Sequence, residues 1–173
     1  MKKLVLALLM CFSVSLFAAE KDMSINFSTP TIINLENDAK IPAIAFGIAG
    51  NNWLSEKLSF YSSVDFGFVR GGGMNMDTNI GVSIRPLNLD KFSLLISPVA
   101  NVDFLLADSL MILNLGAGLD VTANYKVSDT FYVSGGLNSG FDFYQMLLAS
   151  GGSASAACKL LKFTPHLGIT FQM

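Results

Sequence analysis

The chain has 173 residues, enough for one domain. Hydrophobic residues make up 51% and charged residues only 14%, with a mean hydropathy of +0.51. A net charge of −2 with no basic stripe argues against nucleic acid as a partner. After the first 19 residues no run reaches the roughly 18 apolar residues that a membrane-spanning helix needs. An apolar chain without such helices must bury its surplus in a core or show it to lipid as a closed sheet.

Residues 1–19 read MKKLVLALLMCFSVSLFAA. Lys2 and Lys3 form a basic start, Leu4 to Phe17 an apolar stretch, and Ala18 and Ala19 a small-residue cleavage site. This is the layout of a secretory signal peptide. Cys11 falls inside it, so the processed chain keeps a single thiol, Cys158, and no internal disulfide is expected.

Residues 20–40 come next, with MSINF alternating before Pro30 interrupts the pattern. They are expected to be an N-terminal extension, an extra strand or a plug. From residue 41 to 173 the chain falls into stretches separated by turn-like clusters, and within each stretch apolar and small or polar side chains alternate. A period of two places one set on each face of a strand. Leu58, Phe60, Val64, Phe66 and Phe68 oppose Ser59, Tyr61, Ser63, Asp65 and Gly67. Met76, Thr78, Ile80, Val82 and Ile84 oppose Asp77, Asn79, Gly81, Ser83 and Arg85. The same rule runs through 94–105, 111–125, 131–143 and 166–173, while 41–49 and 148–159 are weaker. No helical period follows the leader. Pro98 lies mid-strand, where a missing N–H normally marks an edge or a bulge.

The sign of the alternation separates a soluble barrel from a membrane barrel. The apolar faces are long and nearly free of charge, which suits hydrocarbon. The polar faces are small and neutral, and poor in Lys and Glu for a water-exposed surface. Aromatic residues gather in two sets, Trp53, Phe60, Phe92, Tyr125, Phe131 and Phe163 toward one end and Phe68, Phe104, Phe141, Phe143 and Tyr144 toward the other. Two such girdles mark the interfaces of a membrane. On this pattern residues 41–173 resemble the small bacterial outer-membrane β-barrels of the opacity-protein and OmpX class. The resemblance implies export, insertion in the bacterial outer membrane, contact with its lipids, and assembly through the C-terminal strand. Leu167, Ile169, Phe171 and Met173 keep that strand's alternation, although Met173 replaces the terminal aromatic of the class.

The expected fold is therefore all-β: a closed antiparallel transmembrane barrel of eight strands, or alternatively ten, following the signal peptide. The eight strands are placed near 41–50, 58–70, 75–86, 92–105, 110–125, 130–143, 147–159 and 163–173. This division puts turns at 51–57, 87–91, 126–129 and 160–162 at one end, with Lys57, Lys91, Lys126, Lys159 and Lys162. The turns near 71–74, 106–109 and 144–146 lie at the other end, with the C-terminus. A periplasmic C-terminus then turns the lysines outward, where they serve ordinary turn solubility or, alternatively, meet lipid phosphates.

Little of the chain looks catalytic. The only histidine, His166, lies on a polar face with Gly168 two residues on, so the His-x-Ser pattern of lipid-modifying barrels is missing. His166 is expected to be a hydrogen-bonding lumen residue, and Cys158, among Ala154 and Ala156, an inert thiol. No enzyme, cofactor or metal is expected. Asp77, Asp103 and Asp142 are placed near the C-terminal mouth, Asp65 deeper, and Asp120, Arg85 and His166 toward the other end. These acids are candidates for cation binding or selection, or for a structural network with Asn79, Asn101, Asn138, Tyr61 and Tyr132. The functional expectation is a structural or surface-interaction barrel. Its alternative is a narrow channel for ions or small polar solutes.

Overall fold

The computed structural model describes residues 20–70, 72–107, 110–149 and 152–173. The signal peptide expected at 1–19 lies outside the described residues. Nine strands follow in chain order: β1 (Glu20–Ser28), β2 (Thr31–Asn34), β3 (Lys40–Ser55), β4 (Leu58–Val69), β5 (Met74–Asn88), β6 (Phe92–Ala107), β7 (Leu110–Lys126), β8 (Phe131–Ala149) and β9 (Gly152–Gln172). From β3 to β9 each strand pairs antiparallel with the next.

The ring is closed by β1 and β2, which together form one stave. Ile25 of β1 lies opposite Ile48 of β3 and Ile169 of β9, and Thr31 of β2 lies opposite Pro42 and Phe163. Pro30 breaks the strand because it has no N–H to give. The bonding nevertheless crosses the break: Thr29 N–H donates to the Pro165 carbonyl and Ala43 N–H to the Pro30 carbonyl. Two staggered half-strands and seven full ones make an eight-stave barrel. Closure gives each stave a partner on both sides around the ring.

The number of staves is as expected, but their assignment differs. Residues 20–34 are wall. Residues 144–146 lie inside β8 and residues 160–162 inside β9, so neither is a turn. The misleading signal at 144 has a physical origin. The β8 register shifts between Asp142 and Tyr144, which breaks the period of two inside a continuous strand. At 159–162 the sequence Lys-Leu-Leu-Lys looks like a solvated turn, yet the Lys162 side chain is inside the barrel.

This reassignment moves the termini. Glu20 and Met173 share an end with the turns at 56–57, 89–91 and 127–130, which carry Lys57 and Lys91 beside Lys126. The 35–39 connection lies at the opposite, distal end, together with the strand ends Val69, Met74, Ala107, Leu110, Ala149 and Gly152. The lysine-bearing turns therefore accompany the C-terminus, the reverse of the sequence-based expectation.

Pro98 keeps its place opposite Leu119 of β7. Toward β5 the ladder is paired at Gly81–Val99 and again at Ile84–Ile96, with a gap at Pro98 but no change of register between the two. The missing N–H thus faces β5. Gly81 lets the strands stay close there, because any side chain on it would run into the Pro98 carbonyl.

The burial pattern is inverted relative to a water-soluble domain. Ser59, Ser83, Ser97, Ser134 and Asp142 are among the most deeply buried side chains, at 2% exposure or less. Phe46, Ile48, Phe66, Phe68 and Leu167 are each more than half exposed. Alternation decides this residue by residue: in β3, Ala43, Ala45, Ala49, Asn51 and Trp53 point inward, while Ile44, Phe46 and Ile48 point outward. A continuous apolar belt over a polar interior is stable only where the outside is hydrocarbon.

Candidate functional site

The lumen is filled by polar side chains in linked groups. At the terminal end, the Trp53 indole N–H donates to Asp22 Oδ2 at 2.7 Å. The Arg85 guanidinium lies over the Trp53 ring, 3.6 Å from its centroid, and 3.6 Å from the same carboxylate oxygen. The arrangement combines a cation–π contact with an ion pair. Tyr132 donates to Gln172 at 2.9 Å beside it.

Trp53 therefore does not belong to an outer girdle. It occupies an odd-numbered, inward position of β3 and is only 7% exposed. The other aromatics do lie on the outside. Phe60, Phe92, Tyr125 and Phe131 share the outward faces of their strands toward the terminal end, and Phe131 packs edge-on against Phe171. Phe68, Phe104 and Phe141 occupy outward positions toward the distal end, and Phe143 is exposed at the β8 irregularity. Phe163 belongs with this distal set, since it pairs with Thr31 and Ser139.

Deeper in, Thr122 links Asp120 and His166. Its hydroxyl lies 2.6 Å from Asp120 Oδ1 and 3.1 Å from His166 Nε2. A hydroxyl has one proton, so if it donates to the carboxylate it must accept from Nε2–H, which fixes the imidazole tautomer. His166 Nδ1 is 3.8 Å from Asp120 Oδ2. Gly136, across from His166, leaves room for the ring, which a side chain there would strike.

The central feature is Lys162. Its ammonium lies 2.5 Å from Asp103 Oδ2, 3.2 Å from Asp77 Oδ2 and 3.7 Å from Asp142 Oδ1. The Lys162 side chain is 4% exposed and that of Asp142 fully enclosed. Asn101 donates to Asp142 Oδ1 at 2.6 Å, and Asn79 to Asp77 Oδ1 at 3.1 Å and to Ser63 Oγ at 3.2 Å. Gly140, opposite Lys162 on β8, gives its chain a path inward.

The structure thus brings together Asp77, Asp103 and Asp142, three candidates from the sequence, and places a lysine of the same chain among them. They lie in the distal half, not near the C-terminal mouth. Asp65 is nearby on β4, opposite Asp77. Asp120 and Arg85 lie in the terminal half, in separate groups. Sequence reasoning missed Asp22 and Lys162. Asp22 sits in the 20–40 segment, for which the sequence leaves an extension, an extra strand and a plug all open. For Lys162 the available signal was parity with Thr164, His166 and Thr170 on one face. Among the described residues no group of His, Cys, Asp and Glu is arranged to hold a metal ion. The Cys158 thiol is free and lies 3.5 Å from the Asp142 carbonyl oxygen, to which it donates.

A closed antiparallel ring with an apolar outside and a hydrogen-bonded polar inside defines the fold of the small outer-membrane β-barrels. No family model matches the chain, and no curated protein matches it in sequence. Solved structures do match in fold. Neisserial surface protein A superposes with a TM-score of 0.66 at 9% identity, covering 87% of this chain and 96% of that one. The outer membrane protein AlkL gives 0.63 at 10% identity, covering 90% of each chain. Ail, the attachment invasion locus protein of Yersinia pestis, gives 0.54 at 9% identity, covering 91% of this chain and all of that one.

Proposed function

We propose that this chain is a non-enzymatic barrel of the bacterial outer membrane, exported by its leader, whose lumen is shut by its own side chains. The observation that carries this reading is the Lys162 cluster. A pore that selects cations presents carboxylates to the passing ion. Here three carboxylates surround a tethered ammonium, and Asn79 and Asn101 tie two of them to the wall. Its role then belongs to the outside of the wall and to the connections between strands, as a structural or surface-interaction protein in contact with outer-membrane lipids.

The distal end supports a surface role. Pairing of β9 with β2 stops at Leu160, whereas pairing with β8 continues to Gly152. The β8–β9 hairpin therefore stands above the neighbouring stave with one strand edge free of it. The outward row Leu167, Ile169 and Phe171 of β9 supports recognition of the last strand by the barrel-assembly machinery.

Single-channel conductance of the processed chain, refolded into a planar bilayer, tests the closed lumen. A silent bilayer with insertion verified is the expected result. Steady cation-selective steps would instead favour a second reading, a narrow channel for ions or small polar solutes. The observation behind that reading is the file of polar residues, Asp65, Asp77 and Asp120 among them, along the lumen.

A further inference from the structure

A row of cavities runs inward from the terminal mouth of the lumen, each sharing lining residues with the next. A cavity of about 470 Å³ at the mouth is lined by Arg85, Asn88, Ser93, Tyr132 and Gln172, with Lys91 and Lys126 at its rim. All five of those lining residues also line a second cavity of about 40 Å³ just below. Asp22, Asn124 and Thr170 are shared between that cavity and a third of about 20 Å³. Asn26, Tyr61, Asp120 and His166 are shared between the third and a fourth, also about 20 Å³, which ends at Asp65 and Asp77.

A second observation concerns the same places. Asn124 Oδ1, Ser134 Oγ, Asn26 Oδ1, Ser28 Oγ and Asn79 Oδ1 are buried and have no hydrogen-bond partner in the protein. Each belongs to a residue that lines one of the three inner cavities. Buried polar atoms are rarely left unbonded, because the loss costs about 1–3 kcal/mol each. A polar cavity holds a water once it has room for one water-sized sphere, about 10–15 Å³. The inner cavities thus have the size and the lining for single waters.

We propose that the lumen holds a single file of waters, running from the terminal mouth inward to Asp65 and Asp77, that brings protons but not hydrated ions to His166. The file stops where Lys162 holds Asp77 at 3.2 Å. His166 is faced by Asp120 and Thr122 directly, and by Tyr61, Asp65 and Asp77 across the same cavity. Arg85 and Asp22 flank the way in from the mouth. One-water constrictions pass protons by exchange along hydrogen bonds, while an ion would have to shed its shell.

The test is proton-detected solid-state NMR of the full processed chain in lipid bilayers, following transfer from bulk water to side chains. Transfer to the His166 ring and the Thr122 hydroxyl is expected to build up nearly as fast as transfer to Tyr132 at the mouth. Asn124→Leu and, separately, Ser134→Leu fill the path and should slow transfer to His166 about tenfold while leaving Tyr132 unchanged. Strand resonances show that each variant has folded. A His166 that receives no signal while Tyr132 does would overturn the file. So would an unchanged rate in both folded variants, since access would then run elsewhere. Ionic conductance through the unmodified protein would overturn the exclusion of hydrated ions, and the closed lumen with it. A dry lumen would leave the closed-barrel reading standing.

Discussion

Lys162 and Asp103 meet at 2.5 Å inside the barrel, although β9 and β6 are not neighbours in the ring. The contact spans the lumen. Backbone hydrogen bonds hold each strand to its two neighbours only. A cross-lumen ion pair with Asp77 and Asp142 gathered on the same ammonium ties opposite walls together. It also places four charged side chains across the lumen at one level, which is the basis of the proposed closure.

Removing the lysine is expected to be costly. Lys162→Met leaves Asp77, Asp103 and Asp142 facing one another without a cation. Breaking a buried ion cluster by deleting one partner typically costs about 3–5 kcal/mol. Urea unfolding of the refolded protein in lipid vesicles should show a loss of this size. Adding Asp103→Asn to the Lys162→Met chain removes one of the stranded charges and should recover part of it. A double variant no more stable than the single one would mean that repulsion among the acids is not the source.

Gly116 makes a separate prediction. It faces inward on β7, where a methyl group would collide with the Asp142 carboxylate and the Phe141 carbonyl and press on Asn101 Oδ1. Backbone cannot yield easily, and the Asp142 side chain is held by Asn101 and Lys162. Gly116→Ala should therefore destabilise by about 1–3 kcal/mol, in the range for overpacking. Gly50→Ala, whose added methyl would meet only the Asp22 carbonyl at 3.5 Å, is the matched control and should be nearly neutral in the same unfolding measurement.

The wall was legible in the sequence and its closure was not. Strict alternation in residues 58–69 and 111–125 fixes both strand type and the face each side chain takes, because the period of two leaves no choice once one face is known. Residues 20–34 hid their role because Pro30 interrupts the alternation and Ile32-Ile33 breaks its phase, while pairing with β9 lies over a hundred residues away. The irregularity at Phe143 concealed the length of β8 in the same manner. The extra turn expected at 160–162, inside the continuous β9, reverses the end assigned to the C-terminus. Among the lumen residues, Asp77, Asp103 and Asp142 announced themselves as isolated acids on polar faces. Lys162 did not, since two lysines flanking two leucines also describe a surface turn.

Trp53 offers an optical check on the inward reading of β3. It is the only tryptophan in the chain, and its indole donates to Asp22 beneath Arg85 inside the lumen. In bilayers of lipids brominated along their acyl chains, its fluorescence should be quenched only weakly, because the wall separates it from the bromines. A tryptophan placed on the outer face by Tyr125→Trp in a Trp53→Phe chain should be quenched strongly. Equal quenching of the two would place Trp53 on the lipid side and would undo the Asp22–Trp53–Arg85 group.

The last prediction concerns which end faces out. Glu20 and Met173 share the end with the 89–91 turn, and the 35–39 connection lies at the other. If the termini lie in the periplasm, as in the fold class, Asp90 lies there too and Glu36 is on the cell surface. Both positions are exposed, so a cysteine at either should be reached by reagent on its own side. In a Cys158→Ala background, Glu36→Cys should react with a membrane-impermeant maleimide on intact cells, and Asp90→Cys only after the envelope is breached. The sequence-based division of the strands demands the opposite for the lysine-bearing turns, so the two topologies separate cleanly. Labelling of Asp90→Cys from outside would place Lys57, Lys91 and Lys126 against the outer leaflet. Protection of Asp90→Cys leaves the free-edged β8–β9 hairpin as the part of the barrel that meets the surroundings.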